Sequence, residues 1–395
     1  MKLEIRQAKP EEMVDCKRVA ETALMVSSMD HLPTPEQTLC GFIDGKLVTS
    51  YGAWPLTVVV NGKDVPVAGV TIVGTLPVSR RLGTLRKITT RHFETLYEEG
   101  ERPIAALYAS QAAIYRRYAY SPVVTSNSYS VEPRYLEFVA GSEPEGIFRE
   151  AEEKDTSVLA DLYDGFIDTK TGYLRRSEDM WKRRLLPRPR EHVQHYTVIY
   201  EEGRTPLGYV IYSTRPAQGS EMAKNIHIHD LIWLTPSAYR GIWEFFHRMD
   251  LIEEIKWGMV PVFDPLPHLI KENRKLNGKF TDGMYGRIVD IAGAMDKRGY
   301  NMEGKLIFKI NDDFCPWNQG TWILETSPDG AKITPGSETP QLEMPASTLP
   351  LLFFGQVSAT EADRMGRLDV NDPDSLPVWD RVMSTRYKPA CADGF

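Results

Sequence analysis

Residues 71–85 read TIVGTLPVSRRLGTL, and the fold turns on this stretch. Thr71, Ile72 and Val73 form a β-branched run of the kind that lines a buried strand. Gly74 interrupts it where a bulge or a close backbone approach is expected. Pro77 ends the strand, and Ser79, Arg80, Arg81, Leu82 and Gly83 make a short basic turn. From Thr84 the spacing becomes helical, with Leu85, Ile88, Phe93 and Leu96 on one face. A strand, a basic turn and a helix start in that order suit an anion. The first-turn N–H groups have no helical partners, and the positive end of the helix dipole stands behind them. Gly83 lets the backbone approach a phosphate where a Cβ would intrude. The same letters also fit a plain strand-to-helix connection with two solvated arginines.

The next segment narrows the choice. IAALYAS at 104–110 reads as a second buried strand, and QAAIYRRYAYSPV at 111–123 as a short helix and a returning strand. This pair of units resembles the GNAT acyltransferase superfamily, in which R-x-x-G-x-G/A cradles the coenzyme A pyrophosphate. Arg80, Arg81, Gly83 and Thr84 stand at the corresponding places, while Leu85 replaces the usual last Gly or Ala. ALYASQAAIYRRYAY at 106–120 is similar, more narrowly, to the enhanced intracellular survival (Eis) acetyltransferases, whose pattern is close to A-L-x-A-S-x-x-x-I-Y-x-R-F-G-Y. Ala109, Ser110, Ile114, Tyr115, Arg117 and Tyr120 match it; Arg116, Tyr118 and Ala119 depart from it.

Composition bounds the rest. A chain of 395 residues holds two or three domains, each able to bury its own core. Hydrophobic residues at 42% and charged residues at 26% are those of a soluble globular protein. No apolar run reaches the length of a membrane span, and MKLEIRQAKPEEM is not a signal peptide, so a cytoplasmic protein without a membrane partner is expected. Cys16, Cys40, Cys315 and Cys391 are scattered, which suggests reduced thiols rather than a disulfide frame or a zinc site. A net charge of −7 argues against general nucleic-acid binding.

Along the chain, residues 2–7 alternate as a strand, and Pro10, Glu11 and Glu12 open a helix. Residues 27–35 read as a loop able to line a substrate cleft. Strands at 39–43 and 47–54 flank a turn at Asp44-Gly45, and strands at 56–60 and 65–73 flank one at Asn61-Gly62. Residues 123–131 read as the last strand of the first domain and 141–146 as a linker. The beginning is then echoed. Phe148-Arg149-Glu150-Ala151 compares with Ile5-Arg6-Gln7-Ala8, and LTPSAYRG at 234–241 with LPVSRRLG at 76–83. The second copy carries one Arg before its Gly and a Tyr in the turn, the mark of a degenerate copy that has lost coenzyme binding. Beyond 283 come a strand and helix in MYGRIVDIAGAMDKRGY, several short strands, and helices at 345–354 and 359–368. DPLPHLI at 264–270 and RIVDIAGAMDKRGY have counterparts in the Eis family, so the likeness spans nearly the whole chain.

The resemblance implies an α/β (α+β) fold of two tandem GNAT-like mixed-sheet domains, the second degenerate, and a sterol-carrier-protein-like α+β domain. The expected limits are 1–140, 147–282 and 283–395, with the tail returning to the active site. It implies an acetyl-CoA-dependent N-acetyltransferase in which a primary amine, small-molecule or lysine-borne, attacks directly in a ternary complex. Tyr115 would be the general acid and the terminal carboxylate of Phe395 the general base. Val73 and Thr75 would hold the acetyl carbonyl and pantetheine arm, and Arg80, Arg81, Gly83, Thr84 and Ser110 the rest of the coenzyme. A homo-oligomer, by resemblance a hexamer, and no metal complete the expectation. Which amine is acetylated stays open; some family members have an acidic residue where this chain has Gly394. A non-catalytic acyl-CoA or lipid-binding protein of the same fold is the alternative. His227 and His229 share a strand face, but no third ligand stands at a recognisable spacing, and Trp317 and Trp322 read as core.

Overall fold

The apolar and β-branched runs form three sheets. The computed structural model describes residues 2–29, 31–141, 143–185, 193–220 and 222–395. Asp30 of the expected 27–35 loop and Ser142 of the expected linker lie outside the described residues. Two compact units result: Met1–Val124 with Gly283–Thr385 and Gly394–Phe395, and Thr125–Asp282 with Arg386–Asp393.

In the first unit, seven strands are ordered β1-β2-β3-β4-β5-β14-β6. They are β1 (Leu3–Arg6), β2 (Cys40–Ile43), β3 (Lys46–Val60), β4 (Lys63–Thr75), β5 (Ile104–Tyr108), β6 (Ser121–Pro122) and β14 (Met284–Ile288). Asp44, Gly45, Asn61 and Gly62 all have positive φ, the geometry that lets two-residue turns follow the strand twist. Two strands were expected between 47 and 60, but β3 runs unbroken through Pro55. The β2 ladder stops at Thr49, so the missing N–H of Pro55 falls where that edge is open.

Helix α1 (Met13–Leu24) buries Cys16, Val19 and Ala20 among Phe42, Leu47 and Ile72. Helix α2 (Thr84–Glu99) buries Ile88, Phe93 and Leu96 among Tyr51, Ala68 and Val70. Each such apolar side chain contributes roughly 1.5–3 kcal/mol. Helix α3 (Ala112–Arg116) follows β5.

The second unit orders its strands β13-β7-β12-β11-β10-β9-β8. These are β7 (Thr125–Val131), β8 (Ile147–Glu150), β9 (Gln194–Glu202), β10 (Thr205–Pro216), β11 (Lys224–Trp233), β12 (Ile252–Pro261) and β13 (Lys279–Asp282). Its helices are α4 (Thr156–Ile167), α5 (Glu178–Leu185), α6 (Pro236–His247) and α7 (Leu266–Leu269). Tyr239, Trp243 and Phe246 of α6 pack on Tyr212 and Trp257 to form the core. Thr125–Val131 was expected to end the first domain; it pairs instead with β12 and β13. A strand's alternation states which face is buried, not which sheet it joins.

The remaining sheet belongs to the first unit and is ordered β17-β16-β15-β18-β19. Its strands are β15 (Gly304–Asn311), β16 (Gly320–Ser327), β17 (Gly330–Gly336), β18 (Leu342–Pro345) and β19 (Asp369–Val370). It is accompanied by α8 (Ile291–Lys297), α9 (Leu349–Phe353), α10 (Ala359–Arg364) and α11 (Leu376–Val382).

Candidate active site

The site begins with a defect in β4. Gly52 pairs with Thr71 and Ser50 with Gly74, so two residues, Ile72 and Val73, lie opposite Tyr51 alone. That is a β-bulge, and it reverses the facing of the strand. In a regular strand Val70 and Ile72 would share a face. Here Val70 joins the α2 cluster with Val73 beside it, and Ile72 joins the α1 cluster. Ile72 has φ +49°, a conformation that a β-branched residue rarely adopts and that costs on the order of 1–3 kcal/mol. The Ser50 hydroxyl holds the bulge by donating to the Ile72 carbonyl at 2.7 Å, with the Gly74 carbonyl at 3.3 Å. Gly74 is required because a Cβ there would lie 2.6 Å from the Ala23 side chain.

Beyond the bulge the sheet opens. The parallel ladder between β4 and β5 spans Val67–Gly69 on β4 and Ile104–Ala106 on β5. On its other edge β5 is paired along its whole length by β14. The end of β4, carrying Val73 and Thr75, therefore diverges from the end of β5 and presents backbone amides along one side of a fork.

At the end of β4, Pro77–Ser79 makes a single 3-10 turn, and Arg80 and Arg81 follow it, both exposed. The Arg80 guanidinium reaches back to the carbonyls of Thr75 at 3.3 Å and Ala23 at 3.5 Å, bracing the turn. Arg81 and Gly83 have φ +64° and +76°, no side chain caps α2, and the space where a Cβ of Gly83 would stand is open. The first N–H groups of a 16-residue helix thus face an open turn. Thr84 is buried, its methyl facing Gly41, and its hydroxyl has no partner. What Thr84 offers an anion from this position is its backbone N–H.

At the end of β5 stand the other residues. Tyr115 on α3 is buried, packs edge-on to Tyr120 at 6.1 Å, and shares a side-chain hydrogen bond with Ser110. Burial raises its pKa above the usual phenol value, only partly offset by Ser110, so the hydroxyl is protonated at neutral pH. Phe395 is not a frayed end. Its ring sits edge-on to Tyr108 at 5.3 Å, and a Cβ on Gly69 would come within 3.0 Å of it. Gly69 is the last β4 residue paired with β5, so the terminal ring lies at the vertex of the fork. Tyr108 and Gly69 were missed in the sequence. An aromatic residue closing a strand and a glycine within one carry no signal until their partner, far along the chain, is known.

The second unit repeats the parallel pair as β11 and β12, with α6 between them in the chain. Its helix start is closed: the Thr235 hydroxyl accepts from the Ala238 N–H at 3.1 Å, and Pro236 at the first position has no N–H. A Cβ on Gly241 would meet the Tyr200 ring at 2.6 Å. His229 accepts from or donates to the Ser213 hydroxyl at 2.8 Å and stacks on His195.

Comparison with known proteins agrees with this architecture. Models of an acetyltransferase (GNAT) domain match residues 4–123 and 172–288, and a sterol carrier protein domain model matches 291–392. An uncharacterized N-acetyltransferase of Streptomyces avermitilis is 26% identical over 356 residues, covering 88% of this chain and 87% of its own. The N-acetyltransferase Eis of Mycobacterium tuberculosis is 26% identical over 369 residues, covering 87% of each. Among solved structures, Eis1 from Mycobacterium abscessus superposes with a TM-score of 0.86 at 25% identity, over 100% of both chains. A GCN5-related N-acetyltransferase from Anabaena variabilis shares the fold, with a TM-score of 0.89 at 20% identity over 100% of both. The chain is thus an N-acetyltransferase with two GNAT domains and a sterol-carrier-like domain, similar along most of its length to the Eis proteins.

Proposed function

We propose that this enzyme moves an acetyl group from acetyl-CoA to a primary amine by direct attack in a ternary complex. The proposed catalytic domain lies within residues 1–140, its own strands ending at Pro122 and its sheet completed by β14; 147–282 form a copy without coenzyme, and 283–395 a sterol-carrier-like domain whose tail supplies the base. The observation that carries the reading is the fork between β4 and β5, with the terminal ring at its vertex and an uncapped helix start beyond it. Val73 and Thr75 offer strand-like amides to the pantetheine arm and acetyl carbonyl. Arg81, with Arg80 bracing the turn and the N–H groups at Gly83 and Thr84, holds the pyrophosphate. Ser110 orients Tyr115.

An ammonium must lose a proton before its lone pair can attack. A free α-carboxylate has a pKa of about 3.3–3.7 and is a weak base in water. The Phe395 ring is seated beside Tyr108 and Gly69, and a terminal carboxylate that loses part of its water in such a cleft is a better acceptor than in bulk, directly or through a bridging water. The amine nitrogen then bonds the acetyl carbon, the C–S bond breaks, and Tyr115 donates its proton to the departing sulfur. The acceptor is the departing thiolate, whose conjugate acid has a pKa of about 8.5, so donation from a phenol raised above its usual value is uphill and Tyr115 regains its proton from water afterwards. The amine is a small molecule or a lysine side chain. The protein works in the cytoplasm as a homo-oligomer, a hexamer as in the family it resembles, without nucleic-acid or membrane partners.

The test pairs binding with turnover. Gly83→Asp places a carboxylate against the pyrophosphate cradle and replaces glycine at φ +76°. Acetyl-CoA binding by calorimetry is expected to vanish in this variant, as is thiol release across an amine panel of aminoglycosides, polyamines and lysine peptides. Unchanged coenzyme affinity in the folded variant ends the proposal.

A further inference from the structure

The second unit contains a cavity of about 830 Å³ between the start of α6, the end of β12 and the end of α4. That volume is in the range of small-molecule sites, about 300–1,000 Å³. Its walls include Phe166, Trp233, Phe263 and Tyr387, and one buried charge lines it, Lys170. The Lys170 Nζ donates to the Phe166 carbonyl at 2.5 Å and lies 3.7 Å from the Phe166 ring centroid and 4.8 Å from that of Tyr387. Among the described residues no carboxylate forms an ion pair with it. The other charges on the wall, Arg240 and Glu143, already face each other at 3.6 Å. Burial, with the like charge of Arg386, draws the Lys170 pKa down to about 8. A buried ammonium without a counter-ion is costly, and a ligand carboxylate would relieve that cost. The helix start beside it does not supply the attraction, because Thr235 and Pro236 close it.

We propose that this cavity is a second ligand site, independent of acetyl transfer, for an aromatic monocarboxylate whose anion pairs with Lys170 and whose ring lies among Phe166, Trp233, Phe263 and Tyr387. A pyrophosphate does not fit the site for the reason just given. A neutral aromatic would leave Lys170 unpaired.

The experiment uses the full chain with acetyl-CoA at saturation, so that the first site is filled. Calorimetry compares 2-naphthoate, its neutral isostere 2-naphthamide and decanoate. A buried charge-assisted pair is worth enough that naphthoate should bind at least about tenfold more tightly than naphthamide. Lys170→Met, which keeps the aliphatic stem, should bring the two to equal affinity while naphthamide binding is kept. Equal affinities in the wild type, no binding of either aromatic, or a preference that survives Lys170→Met overturns the site. Decanoate binding more tightly than naphthoate overturns the aromatic assignment. The wild-type comparison stands even if Lys170→Met does not fold.

Discussion

Tyr115, the proposed general acid, has a hydroxyl whose surroundings can be separated from its proposed role. The ring packs on Tyr120, and the hydroxyl's partner is the side chain of exposed Ser110. Tyr115→Phe therefore keeps the apolar contacts and removes the proton donor. Stability should change by less than about 1 kcal/mol, the net worth of one partly solvated hydrogen bond. Turnover should fall by roughly 10²–10⁴, the usual effect of losing a general acid. Steady-state kinetics and a urea titration read the two effects separately. A variant within twofold of wild type in turnover would place Tyr115 among the core residues only. Its role could be proposed from the sequence because ALYASQAAIYRRYAY resembles the Eis pattern. Its burial could not, because the Tyr51–Phe93 cluster around it comes from other segments.

At the scale of elements, the fork depends on β5 being held from its far side. β14 does this, pairing Met284–Ile288 with Tyr108–Ile104. It is fixed by Arg287, almost fully buried, which donates to both oxygens of Asp312 at 2.7 and 2.6 Å and to the Ile288 carbonyl at 2.8 Å. Arg287→Met should destabilise the protein by about 3 kcal/mol, the lower part of the range for an orphaned buried partner. The lower part is expected because Asp312 keeps the N–H groups of Phe314 and Cys315 and the amide of Asn318. A urea midpoint equal to wild type would show that the pair does not hold β14. The sequence made β14 legible as a strand but not its place between β5 and β6. Likewise Gly74 announced a bulge, whereas the two bulged residues proved to be Ile72 and Val73, chosen by the Ser50 hydroxyl on the neighbouring strand. Local pattern specifies element type and buried face; the partner strand is set by residues outside the segment itself.

Over the whole molecule the duplication was readable from two echoes, and a degenerate second copy from its single Arg and its Tyr in the turn, whereas the closing of its helix start by Thr235 and Pro236 was not read. The tail is the feature that sequence pattern alone described worst. An eight-residue stretch with few apolar side chains reads as a frayed end. Instead Arg386–Asp393 belongs to the second unit and Gly394–Phe395 to the first. Asp393 is buried and accepts from Arg176 Nε at 3.1 Å and from the Tyr163 hydroxyl at 3.1 Å, while Arg176 also donates to Asp230 at 2.6 Å. Within the first unit, the last ring is seated on Tyr108 and against Gly69. A seated terminal ring suits a base that must be held in one place, which a loose end does not supply. Extending the chain by a C-terminal tag converts that carboxylate into a peptide carbonyl without touching Arg80–Thr84 or Tyr115. Turnover should fall by roughly 10²–10⁴ while acetyl-CoA affinity stays within about twofold, and proteolytic removal of the tag back to Phe395 should restore the rate. Full activity in the tagged protein would show that the proton is taken elsewhere.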